Sequence, residues 1–148
     1  MSRGFAVREA VGPADREACF GVRKEVFVVE QGVPAEIEYD VHDADAVHLL
    51  AVGPEGPLGT ARLLTGLLPD PASGSLGRLA VTRSARGLGV GAALVGAVEA
   101  AARARGLTSV DLHAQTHALG FYERLGYEAY GPEFPDAGIP HRSMRRVL

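Results

Sequence analysis

The sequence predicts an α/β domain with a mixed sheet, and three observations carry that expectation. The β-type runs "AVHLLAVG", "GTARLLTG" and "SLGRLAVT" follow one another across the turn-forming stretches "PEGP" and "PDPASG". A glycine-rich turn then enters an alanine-rich helix, "AALVGAVEAAARARG". A further strand, "TSVDLHAQ", follows that helix, so hairpins and a strand–helix–strand unit coexist in one chain.

The elements can be justified in order. A short opening strand is expected within residues 4–9. "EAVGPADREACFGVRKEVFVVEQGVP" has a helical signature, with Pro13 in its first turn and Asp15 and Glu17 near the positive end of the helix dipole. Cys19, Val22, Val26 and Val29 recur at three and four residues, which makes an apolar stripe, and Gly32 and Pro34 end the helix. A polar stretch runs to Asp45 before the three strands. In the alanine-rich helix, Val90, Leu94 and Val98 mark the buried face, and Gly106 stands where a C-terminal capping glycine belongs. "HALGFYERLG" predicts a short helix stopping at Gly126, and "YEAYG" and "HRSMRRVL" predict two closing strands.

Length and composition bound the function. The chain has 148 residues, 47% of them hydrophobic, which fits a single domain over 1–148 with a real core. No run of 18 apolar residues is present, so no membrane span is expected, and "MSRGFAVREAV" lacks the apolar stretch of a secretory signal. Cys19 is the single cysteine, which suits a reducing cytoplasm. The net charge of −3 gives no reason to expect nucleic acid. Arginine dominates the basic residues beside abundant alanine and glycine, which reads as coding bias before phosphate recognition.

The most informative stretch is "RSARGLGVGAAL", residues 83–94. Gly87, Gly89 and Gly91 lie between a strand and a helix N-terminus, where free N–H groups and the positive dipole end favour phosphate. The Walker pattern GxxxxGK[ST] is absent, and the dinucleotide fingerprint GxGxxG fails because the third glycine is at 91 rather than 92. The alternative for these glycines is tight packing of helix on sheet.

Two motifs at their mutual spacing resemble the GNAT superfamily of acetyl-CoA-dependent N-acetyltransferases. Arg86, Gly89 and Gly91 fit its R/Q-x-x-G-x-G/A pattern. Ala118, Phe121, Tyr122, Glu123, Leu125 and Gly126 fit its later A-x-x-F/L-Y-E-x-L-G-F pattern. The resemblance runs from about residue 5 to the end of the chain, and "VFVVEQGVP" with "GIPHRSM" further resembles the ElaA-like branch.

The resemblance implies a mixed, mostly antiparallel sheet flanked by helices and acetyl-CoA as cosubstrate, with no metal. It implies that the backbone of Gly87, Leu88, Gly89, Val90 and Gly91 cradles the CoA pyrophosphate beside Arg86. The glycines would then leave room for the anion, so Gly89→Val is expected to block CoA while leaving the protein folded. Arg83 would add charge, and Leu79, Ala80 and Val81 would pair with the pantetheine arm. Gln115 stands where many members carry asparagine, and Tyr122 takes the place of the general acid.

Glu30, Gln31, His113 and His141 are expected at the acceptor site. The glutamate base that some members carry aligns with Ser75, so His113 and His117 become base candidates. From Glu25 to Ala61 there is no lysine or arginine, and the same window holds Glu25, Glu30, Glu36, Glu38, Asp40, Asp43, Asp45 and Glu55. As an acidic rim they would favour a cationic amine; as a solvated face they would favour nothing. "HDADAVH" (residues 42–48) is expected as a solvated loop entering a strand rather than a metal site.

Three functions stay open. One is an N-acetyltransferase acting on a small-molecule or peptide amine. Another is a non-catalytic acyl-CoA-binding regulatory module, and the last is a nucleotide-binding module of another fold. A homodimer is neither indicated nor excluded.

Overall fold

A computed structural model describes residues 4–148; Met1, Ser2 and Arg3 at the head of "MSRGFAVREAV" lie outside the described residues. The strands are β1 (Ala6–Glu9), β2 (Val47–Gly53), β3 (Gly56–Leu64), β4 (Ser73–Val81), β5 (Ser109–Gln115), β6 (Glu128–Asp136) and β7 (Ile139–Val147). They form one seven-stranded sheet in the order β1-β2-β3-β4-β5-β7-β6. Every neighbouring pair is antiparallel except β4 and β5. A parallel pair needs a crossover, and helix α3 (Val90–Ala104) supplies it.

The two faces of the sheet are covered by different helices. Val90, Leu94 and Val98 of α3 are fully buried against Leu49, Ala61, Leu63, Leu76, Val110 and Leu112. Helix α1 (Gly12–Arg23) covers the opposite face through Cys19 and Val22. The helix then continues as a π-helix over Lys24–Glu30, in which the amide of Gln31 bonds the Val26 carbonyl at 3.2 Å, five residues back. That wider turn breaks the three-and-four spacing. Val26 stays buried, but Val29, expected on the same stripe, is rotated out and is 70% exposed. Two short helices complete the chain, α2 (Ala35–Glu38) and α4 (Leu119–Arg124).

Strand β4 changes its facing partway along. Arg62 pairs with Gly77 and Thr60 with Ala80, so Ala61 opposes both Arg78 and Leu79. This is a bulge, and it exchanges the sides of the strand. Before it, Leu76 packs on the α3 side; after it, Ala80 packs with Val22 and Val26 on the α1 side, while Leu79 and Val81 turn toward α3. Arg78 holds the bulge at φ 52, a left-handed conformation that costs a residue with a Cβ roughly 1–2 kcal/mol.

An ion network joins α1, the 35–45 segment, β3 and β4. The Arg23 guanidinium is 1% exposed. It donates to both Glu38 oxygens at 2.6 and 2.7 Å and to both Asp43 oxygens at 2.7 and 3.1 Å. Arg62 Nη1 donates to Asp40 at 2.7 Å and Asp43 at 3.0 Å. Arg23 also lies 4.9 Å from the Phe20 ring centroid and 5.5 Å from that of Tyr39. The "HDADAVH" stretch is therefore only partly the solvated loop expected. Asp43 and His48 are buried, and the His48 Nε2 lies 2.9 Å from the Asp43 carbonyl.

Two outcomes follow from the network. Arg23→Met should cost about 3–5 kcal/mol in urea denaturation, because it strands two buried carboxylates without their partner. Burial works to raise the Asp43 carboxyl, but hydrogen bonds from Arg23, the Asp40 amide and Arg62 outweigh it, and the group is held well below the ordinary carboxylate range. A lowered folded-state value adds stability above the unfolded value and loses it as pH falls. The urea midpoint of the native protein should drop as pH falls below about 4, and less steeply in Arg23→Met.

Candidate active site

The parallel pair opens a slot through the sheet. Pairing of β4 with β5 stops at Leu76 and Leu112, although β4 continues to Val81 and β5 to Gln115. The backbone of residues 77–81 is thus left without a partner strand on that side. A cavity of about 790 Å³ occupies the gap. It reaches Gly87, Gly89 and Gly91 at one end, and Ile37, Asp136 and His141 at the other.

The glycine turn is open toward the cavity. Gly87 and Gly89 have φ of 82 and 84, and a Cβ on either would meet nothing within 4 Å. Ala93 is the first amide of α3 to bond back, to the Gly89 carbonyl at 3.1 Å. Among the described residues, the N–H groups of residues 87–92 have no backbone acceptor. Free amides beside open space at a helix N-terminus fit an anionic diphosphate.

The glycines are not equivalent, however. A Cβ at Gly91 would lie 3.2 Å from the Phe121 ring, so this glycine serves close packing as well. Gly89→Val is also a poor test of the anion site, because φ 84 strains any substituted residue. Leu88 is 60% exposed and does not line the cavity, so only its backbone is available there.

Arg86 is already engaged. Its Nε donates to the Val81 carbonyl at 3.1 Å and its Nη2 to Glu30 at 2.9 Å; Arg83 approaches the same carboxylate at 3.5 Å. Glu30 lines the cavity, but its carboxylate is turned to these arginines rather than to an acceptor. Its neighbour Gln31 bridges the slot. Gln31 Nε2 donates to Gln115 Oε1 at 3.2 Å, and Gln115 Nε2 donates back at 3.1 Å. His117 Nε2 donates to the same Gln115 oxygen at 2.7 Å.

The cavity also holds groups from both faces of the sheet. Tyr122 packs in the α3-side core at 8% exposure and lines the cavity. Its hydroxyl has no hydrogen bond to any described residue, and burial pushes it well above the ordinary phenol range. His113, Gln115 and His141 stand on the opposite face, because Leu112, Ala114 and Met144 take the α3 side of β5 and β7. His141 stacks on Phe134 with ring centroids 6.1 Å apart, and the edge of His113 meets the same ring at 4.9 Å. The His141 Nδ1 donates to the Ile139 carbonyl at 2.7 Å, which leaves Nε2 as the free ring nitrogen. Ser75 lines the cavity and offers no acid–base group.

The acidic-rim expectation fails for its central members. Glu38, Asp40 and Asp43 are held by Arg23, Arg62 and Arg78, which fold back onto the arginine-free window from outside it. Sequence reading also missed Arg62 and Arg78 as cavity residues. The one available signal was "GR" inside an apolar strand, since a strand-interior glycine often marks a bulge.

Comparison with known proteins agrees with this geometry. The family model for the acetyltransferase (GNAT) domain matches residues 10–148. The uncharacterized N-acetyltransferase YjcF of Bacillus subtilis is 41% identical over 128 residues, covering 86% of this chain and 89% of the relative. An acyl-CoA N-acyltransferase from Pseudomonas aeruginosa superposes with TM-score 0.81 at 33% identity, over 97% of this chain and 98% of that one. Escherichia coli ElaA superposes with TM-score 0.84 at 26% identity, over 96% and 99%.

Glu30→Gln should release Arg86 from its ion pair. If the pair competes with an anion at the glycine turn, calorimetry should show CoA binding severalfold tighter in the variant. The difference should shrink at high salt, which screens exposed pairs.

Proposed function

The chain belongs to the GNAT acetyltransferase family, and from that premise we propose that it moves an acetyl group from acetyl-CoA directly to a primary amine of a small molecule or peptide. The observation that carries this reading is the slot between β4 and β5. It joins a helix N-terminus with free amides to a buried phenol and an oriented imidazole. Membership of an acetyltransferase family sets the enzyme above a purely regulatory acyl-CoA-binding module.

Acetyl-CoA supplies an activated thioester; the chain's own residues do the rest. The amides of residues 87–92 and Arg86 bind the diphosphate, with Arg86 exchanging Glu30 for it. The unpaired edge of Leu79, Ala80 and Val81 takes up the pantetheine amides as a strand would. A main-chain N–H there polarises the thioester carbonyl. Gln115 adds an amide contact once it leaves Gln31.

Two side chains handle protons. His141 is the base, because its Nδ1–H is fixed on Ile139 and its Nε2 is free to take a proton from the acceptor ammonium, which leaves the neutral amine to attack. Tyr122 is the donor to the departing sulfur. Its raised proton affinity keeps it protonated across the working pH range, and the same burial raises the proton affinity of a thiolate beside it.

The direct test is calorimetric binding of acetyl-CoA followed by thiol release with an amine library. Absence of both would end the reading. Tyr122→Phe should keep acetyl-CoA affinity and lower turnover, on the order of 10²-fold if protonation of sulfur limits the rate. No alkaline fall in wild-type turnover should trace to this phenol, and wild-type turnover in the variant would reassign it to packing. His141→Ala should lose on the order of 10²-fold or more in kcat, and added imidazole should restore part of it. Failure of imidazole to rescue a folded variant would return the base role to His113 or to water.

A further inference from the structure

The acceptor half of the cavity holds two arginines that acetyl transfer itself does not use. The β4 bulge aims Arg78 onto the α1 side of the sheet, where it lines the cavity with Arg62. Strain of this kind, at φ 52, persists where a side chain has to be aimed.

Arg23, Arg62 and Arg78 face the three carboxylates of Glu38, Asp40 and Asp43, yet not every guanidinium N–H finds an acceptor. Both Glu38 carboxylate oxygens are held by Arg23, and Asp43 is shared by Arg23 and Arg62. Asp40 is taken by Arg62, by Arg78 at 3.3 Å and by the His42 amide. The Glu38 carbonyl receives Arg23 Nη2 at 3.0 Å and both Nε and Nη2 of Arg78 at 3.1 Å, one donor more than its lone pairs. Arg78 Nε also lies 3.5 Å from Glu38 Oε2, and even so guanidinium donors remain without an acceptor.

Arg62 is 4% exposed, and its buried Nε has no partner. Among the described residues, Arg62 Nη2 and Arg78 Nη1 also make no hydrogen bond. Burial first, and then the Arg62 charge, lower the proton affinity of Arg78, against the opposing pull of Glu38 and Asp40. Toward the mouth, Asp136 is exposed and has no ion pair with a described residue, so it can attract an ammonium group.

We propose that Arg78, backed by Arg62, binds an anionic oxyacid group on the acceptor, so that the acceptors are amines that also carry a carboxylate, phosphonate or phosphate. The amine lies toward Asp136 and His141, and the anionic group lies at the bulge. The proposal rests on the acetyltransfer reading and replaces the cationic amine that the acidic window suggested. It also explains why a guanidinium is held on a strained bulge instead of a glycine.

The test uses the wild-type protein, acetyl-CoA and matched acceptors. Leucine and phenylalanine are each compared with their amides, with the amines lacking the carboxylate and with the aminophosphonates. The free acids or phosphonates should exceed the amides at least tenfold in kcat/KM, mainly through KM. Whichever of carboxylate and phosphonate is preferred identifies the source of the oxyacid. Arg78→Gly suits the left-handed backbone and should lower the acid-to-amide ratio at least tenfold. Arg78→Lys should retain part of it, and urea midpoints monitor folding.

Amides or simple amines used as well as the acids by the wild-type protein would overturn the proposal. An equal effect of Arg78→Gly on acids and amides would do the same. If no acceptor turns over, calorimetry with N-acetyl-leucine and N-acetyl-leucinamide on the CoA-bound protein decides, and equal affinities overturn it. Failure to bind acetyl-CoA at all would strike the acetyltransfer reading instead.

Discussion

The fork of Arg23 onto Glu38 and Asp43 is the constraint on which the acceptor half of the molecule depends. The 35–45 segment has only a four-residue helix and one 3₁₀ turn of regular structure. Its backbone cannot hold itself against the sheet through a ladder. A bidentate guanidinium that is almost fully buried supplies the missing attachment, with geometry that lysine could not match. Buried ion pairs are weak evidence for net stability, since desolvation offsets much of the attraction. Their value here is positional. They fix where Glu38 presents its carbonyl, and that carbonyl fixes the Arg78 guanidinium over the cavity.

What the sequence made legible follows from local rules. The strands, α3 and the glycine turn are set by side-chain periodicity and by residues that tolerate positive φ. Gly87, Gly89, Gly106 and Gly126 all sit at such angles. The family motifs fall in the same local stretches, around residues 86–91 and 118–126. The rest depended on partners distant along the chain. Arg23, Arg62 and Arg78 reach into the window between Glu25 and Ala61 from a helix before it and strands after it. Charge patterning along the sequence could only count the carboxylates, not see what neutralised them. The π-helix was hidden for a similar reason: its wider turn keeps the composition of an α-helix while moving Val29 off the buried stripe.

The end of that π-helix links the two halves of the slot. Glu30 reaches the arginines of the glycine turn, and Gln31 reaches the end of β5. Both contacts use groups that the proposed cosubstrate requires, Arg86 for phosphate and Gln115 for the pantetheine arm. In the proposed complex both contacts give way to ligand contacts. The segment that gives them up is continuous with α1 and with the acceptor side.

The bulge in β4 completes the logic of the slot. In a regular parallel pair, β4 and β5 would close their ladder and leave no gap. The bulge begins two residues after pairing stops at Leu76, and it changes which face each later residue serves. The opening is consequently lined from both sides of the sheet: Tyr122 comes from the α3 side, and His113, Gln115 and His141 come from the α1 side. A proton acceptor and a proton donor on opposite faces cannot neutralise one another directly. In the proposed transfer that separation suits a proton leaving nitrogen on one side of the carbonyl carbon and another reaching sulfur on the other. One irregularity in strand pairing thus adjoins the slot, aims Arg78, and stands beside an opening that Tyr122 and His141 line from opposite faces of the sheet.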